Sequence, residues 1–238
     1  MKRLDDGVFQ LNLGKANVYL IGGPEGFTLV DAATHGTLAL LERTLQAAGW
    51  PLSGLRRIVA THAHVDHVGG LSELQARSGA AVWAHHLDAP FIRRGEHPPS
   101  PPRSQLRLSE RLLGNLIERS VGRVQPAASV TRELSDGETL GNELPGWELL
   151  HLPGHTPGHS GLWWPERRLL LGGDVMMHVT PWLTLPLAAY TSDAVQARAS
   201  VLRVAGLRPR SLGLGHGAAL VGGAALATER LAARLSRS

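Results

Sequence analysis

Apolar positions along the chain fall into short runs whose period switches between that of a strand and that of a helix. Val8 to Leu13, Asn17 to Ile21 and Phe27 to Val30 are apolar or alternating stretches separated by Gly-Lys and Gly-Gly-Pro-Glu-Gly, a pattern that predicts a meander of strands. From Thr37 to Ala48 the period lengthens. Leu38, Leu41, Leu45 and Ala48 share one helical face and Gly49 ends it. Arg57 to Ala60 predicts the next strand, which delivers the chain into Thr61-His62-Ala63-His64-Val65-Asp66-His67. Gly69-Gly70, a helix from Leu71 to Arg77 and a strand from Ala80 to Ala84 follow.

Residues 87 to 130 break this rhythm. A Pro-rich loop, Glu96 to Pro102, reads as a stiff surface segment, and Leu106, Leu112, Leu113, Leu116 and Ile117 then recur at helical spacing. This stretch is expected to be a helical insertion over the functional site. Strands are predicted again at Val130 to Leu134, Trp147 to Leu152, Gly161 to Trp164, Arg168 to Leu171 and Ser211 to Leu214, with helices at Asp193 to Ala205 and Ala224 to Leu235. Two similar halves on either side of an insertion imply an α/β fold in which two sheets stack with helices outside. The whole chain, 1–238, is read as one domain.

Composition narrows the chemistry. Hydrophobic residues make up 43% and charged residues 18% of 238, the balance of a soluble globular protein with a sizeable core. There is no cysteine, so disulfides and thiolate ligands are excluded and any transition-metal site must use imidazole and carboxylate. The formal charge of +4 comes from 24 basic and 20 acidic residues, nearly all the former arginine and scattered along the chain, which argues against a nucleic-acid surface. No stretch resembles a membrane span, and the start lacks the apolar segment of a secretory signal, so the default expectation is a cytoplasmic protein.

Four potential ligands within six residues, His62, His64, Asp66 and His67, sit in a loop at the end of an apolar strand. Alternate residues of an extended segment share a face, so His62 and His64 can reach one ion, while Asp66 and His67 follow a turn and can face another. Burying that many polar groups without a metal would leave them desolvated and unpaired. Three further strand ends repeat the theme: Pro153-Gly154-His155-Thr156-Pro157-Gly158-His159, Gly172-Gly173-Asp174 and Gly215-His216-Gly217. Glycine beside each candidate lets backbone approach an ion closely.

Taken in order, THAHVDHVGG, PGHTPGH, GGDV and GHG resemble the metal motifs of the metallo-β-lactamase superfamily, across residues 61 to 217. The resemblance implies a four-layer αβ/βα sandwich with the site at the sheet edges. It implies one metal on His62, His64 and His155, a second on Asp66, His67 and His216, and Asp174 between them. Two divalent ions sharing a carboxylate and a water lower the pKa of that water enough to yield hydroxide near neutrality. The implied reaction is attack of this hydroxide on an ester, thioester or lactone carbonyl of a small-molecule substrate, with Asp66 as both ligand and acid-base group. The ligand set suits zinc first, with iron or manganese as alternatives.

Outside the ligand set, Asp31 is expected to lie beneath the metal loop and His159 to buttress a ligand. His178 and Tyr190 are expected at the substrate pocket. His85 and His86 are set aside as ligands, and His35, His97 and His151 are read as surface or capping residues. Three other readings stay open. A phosphodiesterase or nuclease would require a basic docking surface, a persulfide dioxygenase would hold one iron on His62, His155 and Asp174, and a purely structural site would be closed to water. Oligomeric state is not legible.

Overall fold

The computed structural model describes residues 1–121 and 124–237. Strands β1 (Lys2–Asp5), β2 (Val8–Asn12), β3 (Asn17–Gly23) and β4 (Gly26–Val30) form an antiparallel meander. Parallel strands β5 (Leu55–Ala60), β6 (Ala81–His85) and β7 (Arg132–Leu134) extend it into a seven-stranded sheet in sequence order. A second sheet has the order β12-β11-β10-β9-β8, built from β8 (Glu148–His151), β9 (Ser160–Trp164), β10 (Leu169–Leu171), β11 (Ser211–Gly213) and β12 (Leu220–Val221).

Alternation along the strands decides the layering. In β3, Val18 and Leu20 face one way while Tyr19 and Ile21 face the other; in β5, Ile58 and Ala60 oppose Val59; in β6, Val82 and Ala84 oppose Trp83. Tyr19, Ile21, Val59 and Trp83 meet Leu149, Leu162, Leu169 and Leu171 of the second sheet in a core between the two sheets. The other faces are covered by helices. Leu38, Leu41 and Leu45 of α1 (Leu38–Ala47) and Leu71 and Leu74 of α3 (Leu71–Ser78) pack on the first sheet. Val201 and Val204 of α6 (Ala194–Leu207) and Leu231 of α7 (Ala224–Leu235) pack on Leu150, Trp163, Leu170 and Leu212 of the second. The result is the αβ/βα sandwich. With strands buried on both faces, each such leucine withdrawn from water contributes roughly 1.5–3 kcal/mol.

Four details differ from the sequence expectation. β7 lies after the insertion yet pairs with β6, so the first sheet takes a strand assigned to the second half. β1 is an edge strand whose Lys2, Arg3 and Asp5 hide it from a hydrophobic pattern, and such charges suit an edge exposed to solvent. Within the insertion, the short helix α4 (Ala89–Arg94) buries Ala89 and Ile92 in the first outer core, so only the chain after it departs from the sandwich. The helix α5 (Leu108–Val121) forms as expected, but Leu108, Leu112, Leu113 and Leu116 are exposed. α5 rests on the turn Ala188–Tyr190 through Gly114, not through its leucine stripe. No helix among the described residues is long and apolar enough to cross a membrane.

Candidate metal centre

All seven sequence-predicted ligands come together at one edge of the two sheets. The loop leaving β5 presents His62 and His64, then turns into the four-residue helix α2 (Val65–Val68), which carries Asp66 and His67. The β8–β9 loop supplies His155, the turn after β10 supplies Asp174, and the turn after β11 supplies His216. Three groups of side chains each have ligand atoms within 4.8 Å of one another: His62, His64 and His155; His62, His67 and Asp174; and Asp66, His67 and His216. Asp174 lies between the groups. Its Oδ2 is 3.5 Å from His155 Nε2 and 3.2 Å from His216 Nε2, and its Oδ1 is 3.5 Å from His67 Nε2.

The hydrogen bonds around the rings determine which nitrogen each histidine offers. His67 Nδ1 donates to Asp31 Oδ2 at 2.8 Å, His216 Nδ1 to the Lys15 carbonyl at 3.0 Å, and His62 Nδ1 to Thr61 Oγ1 at 3.0 Å. His155 Nδ1 faces Thr191 Oγ1 at 3.5 Å. Each arrangement turns Nε2 into the site, where the neutral ring offers its lone pair. His64 is reversed, with Nδ1 3.0 Å from His155 Nε2.

Whether these residues fit a metal is decided by the atoms left over. His62 Nε2, His67 Nε2 and Asp174 Oδ1 are buried without a hydrogen-bond partner, three of the six such side-chain atoms among the described residues. Buried polar atoms without partners cost free energy, and a cation bound to the deprotonated rings and the carboxylate would satisfy all three, so the set fits divalent ions. The close approach is strict. An added Cβ at Gly215 would lie 1.9 Å from Asp174 Oδ1 and 2.6 Å from His67 Cε1, so only glycine fits beside the ligands.

Electrostatics follow from this crowding. Burial and neighbouring histidines hold His62 and His155 well below the usual imidazole range, and burial lowers His64 to about 4. Burial alone would also lower His67 and His216. There it is outweighed by Asp174 together with Asp31 and Asp66 for His67, raised to about 9, and by Asp174 and Asp66 for His216, raised to about 11. Burial opposes ionisation of Asp66 and Asp174, but the facing histidines prevail and hold both carboxyls below their usual range.

Asp31 does lie beneath the metal loop, accepting from the Thr61 N–H, the Thr61 hydroxyl and His67; its φ of 66° places it in the left-handed region rarely used by non-glycine residues. His159 supports a different ligand from the one its spacing suggests. Nδ1 donates to the Leu152 carbonyl and Nε2 accepts the Asp174 N–H, both at 2.9 Å, so it holds the backbone of Asp174 and has no nitrogen left for a metal.

Above the centre opens a cavity of about 540 Å³ lined by Lys15, Val65, Ile117, Met177, Leu187 and Tyr190 among others. Tyr190 is at its wall, with the hydroxyl donated to the Gly114 carbonyl of α5 at 2.8 Å. The insertion reaches the site as expected, through His97, Ser100, Ile117 and Ser120. One expectation is corrected. His178 is not among the lining residues, because its Nδ1 donates to the Ala218 carbonyl at 2.6 Å while Met177 turns inward. His97 is exposed, as its reading as a surface residue expects, and also lines the mouth of the cavity. His85 and His151 stack on each other at 4.0 Å, outside every ligand group.

Sequence reasoning missed the supports of the His216 turn. Asn17 Nδ2 donates to the carbonyls of Leu214 and Gly217, Tyr19 Oη to Leu214, and Gln10 Nε2 to Gly217. A buried Asn and Gln in apolar strands were the available signal. Asp88 was missed as well. Only 1% exposed, it accepts from the Ala63 N–H, the Thr156 hydroxyl and the Gly158 N–H at 2.7–2.8 Å.

A four-layer sandwich with clustered histidine and aspartate at the sheet edges defines a protein of the metallo-β-lactamase fold with a candidate metal centre. The chain belongs to the metallo-β-lactamase superfamily, whose family model matches residues 11–216. It is 29% identical over 231 residues to the probable metallo-hydrolase YflN of Bacillus subtilis, covering 91% of this chain and 86% of that one. It is 28% identical over 200 residues to the human acyl-coenzyme A thioesterase MBLAC2, covering 74% and 65%. The crystal structure of the metallo-β-lactamase family protein TTHA1429 from Thermus thermophilus superposes with a TM-score of 0.70 at 26% identity, covering 99% of this chain and 81% of that one.

Proposed function

We propose that the chain is a two-metal hydrolase that cleaves a carboxylic ester or thioester, with lactones as the cyclic members of the same class. The observation that carries this reading is the set of orphaned polar atoms, His62 Nε2, His67 Nε2 and Asp174 Oδ1, buried in a cluster whose His64, Asp66, His155, Asp174 and His216 line the cavity. His62, His64 and His155 would hold one ion, Asp66, His67 and His216 the other, and Asp174 would serve both. Zinc is the metal proposed. Bound there, such ions supply Lewis acidity and a water acidified toward neutrality.

The remaining work falls to the chain's own residues. Asp66 is the more accessible of the two site carboxylates, at 18% against 6% for Asp174, and faces His216 Nε2 at 3.3 Å. It is the group placed to orient the attacking water, accept its proton and return it to the leaving group. Val65, Ile117, Met177 and Leu187 give the cavity an apolar wall that suits an acyl chain and excludes bulk water. Similarity to a thioesterase supports the acyl class.

The test is elemental analysis of the purified protein alongside a panel of thioesters, esters, lactones, phosphodiesters and a persulfide. Two metal equivalents with turnover of carbonyl substrates are expected. One iron with oxygen consumed on the persulfide, or turnover confined to phosphodiesters, would overturn the reading.

A further inference from the structure

Asp88 stands where a helix-capping aspartate would, at the N-terminus of α4, yet its carboxylate makes no bond to that helix. An aspartate at this position ordinarily accepts from the first turn of its own helix. Here both oxygens turn the other way. Oδ2 accepts the Ala63 N–H at 2.8 Å and the Thr156 hydroxyl at 2.7 Å, and Oδ1 accepts the Gly158 N–H at 2.7 Å.

The donors belong to two loops from different sheets. Ala63 sits between His62 and His64 on the loop leaving β5, whereas Thr156 directly follows His155 on the β8–β9 loop and Gly158 precedes His159. Contact at Gly158 is tight, since a Cβ there would lie 2.5 Å from Asp88 N and 2.7 Å from Oδ1. A carboxylate is acceptor-only and can satisfy donors on both sides at once, which no other side chain of that size does. With three donors converging, one carboxyl group bridges the loops at the ligands, beyond the direct bond of the Ser160 N–H to the Thr61 carbonyl at 2.9 Å that joins their bases.

We propose that Asp88 is the positioning residue for the three-histidine half of the metal centre, fixing His62 and His64 against His155. The inference rests on the two-metal reading above. It assigns Asp31 and Asp88 parallel tasks: Asp31 aims His67 directly, while Asp88 aims no ring and instead sets the distance between the two ligand loops. Asp88→Asn keeps size and shape but replaces one acceptor by an NH₂ that must face a backbone N–H, so one loop is released. Thr156→Val removes one of the three donors, and Thr156→Ser keeps it.

The experiment uses the full chain, stripped of metal and titrated with Zn²⁺ against a chromophoric chelator, then with Co²⁺ followed by its visible spectrum. For Asp88→Asn, one of the two equivalents is expected to weaken by about 10- to 100-fold, the range typical of lost ligand supports, with an altered cobalt spectrum and the other equivalent near wild type. Thr156→Val should weaken the same equivalent and Thr156→Ser should restore it. If Asp88→Asn does not fold, the Thr156 pair decides. Wild-type affinities and cobalt spectrum in Asp88→Asn, or equal behaviour of the Val and Ser variants, would overturn the role of Asp88 alone. A wild-type chain that takes up no metal would overturn the two-metal reading together with it.

Discussion

At the residue scale, function depends on how close backbone comes to the ligands. Gly215 has an ordinary φ, so alanine is not barred there by conformation; it is barred by Asp174 Oδ1 at 1.9 Å from the added methyl. That oxygen cannot swing aside, because the Asp174 carboxylate is wedged among His67, His155 and His216. Gly215→Ala is therefore expected to cost about 1–3 kcal/mol, as overpacking does, and to lower metal content. Gly206→Ala serves as control, since nothing lies within 4 Å of its methyl, and it should keep metal content at the wild-type level. Denaturant midpoints with elemental analysis of both variants check this, and a Gly215→Ala protein of normal stability and metal content would contradict it. The ligands themselves were legible because four of them crowd six residues and the other three follow apolar strands with glycine alongside. Asp88 was not, since Asp88-Ala89-Pro90 has a sufficient explanation as a helix start and nothing local announces two loops arriving from elsewhere. His178 misled for a related reason, because adjacent residues of a turning loop face different ways and Met177 took the inward place.

At the element scale, strands buried on both faces made the sandwich readable: runs such as Arg57 to Ala60 and Leu169 to Leu171 have few alternatives at their length. Helix α5 shows where periodicity stops informing. Its leucine stripe says that one face is apolar and not which surface covers it, and in the structure Leu112 and Leu116 are exposed while Gly114 makes the contact. The tie is the Tyr190 hydroxyl on the Gly114 carbonyl, at the wall of the cavity that Ile117 and Ser120 of α5 also line. Tyr190→Phe removes that bond and leaves the ring. A hydrogen bond of this kind is worth about 1 kcal/mol net, so KM for an acyl substrate should rise roughly fivefold with kcat little changed. Steady-state kinetics on the wild type and Tyr190→Phe read this directly; a drop confined to kcat would instead place the hydroxyl at the reacting atoms.

At the scale of the molecule, the ligands unite two sheets. His62, His64, Asp66 and His67 follow a strand of the first sheet, and His155, Asp174 and His216 follow strands of the second. A bound ion therefore ties the sheets together, and mass action sets its contribution at about 2.7 kcal/mol when free metal is a hundredfold above Kd. In the metal-free protein the same place is held by ion pairs. His67, raised to about 9, and His216, raised to about 11, keep their protons at pH 7 opposite Asp31, Asp66 and Asp174. Two consequences follow. Metal uptake at pH 7 must displace those protons, so titrating the stripped protein with Zn²⁺ in a weakly buffered solution should acidify it. The second consequence concerns stability. Because both folded pKa values lie above the ordinary 6.5, the stabilisation from these protons is complete below that value and disappears as pH rises through about 9 to 11. The loaded protein has already given them up and does not share the loss. The gap in Tm between loaded and stripped protein should widen from pH 7 to pH 10, and a constant gap with no proton release would place the metal away from His67 and His216.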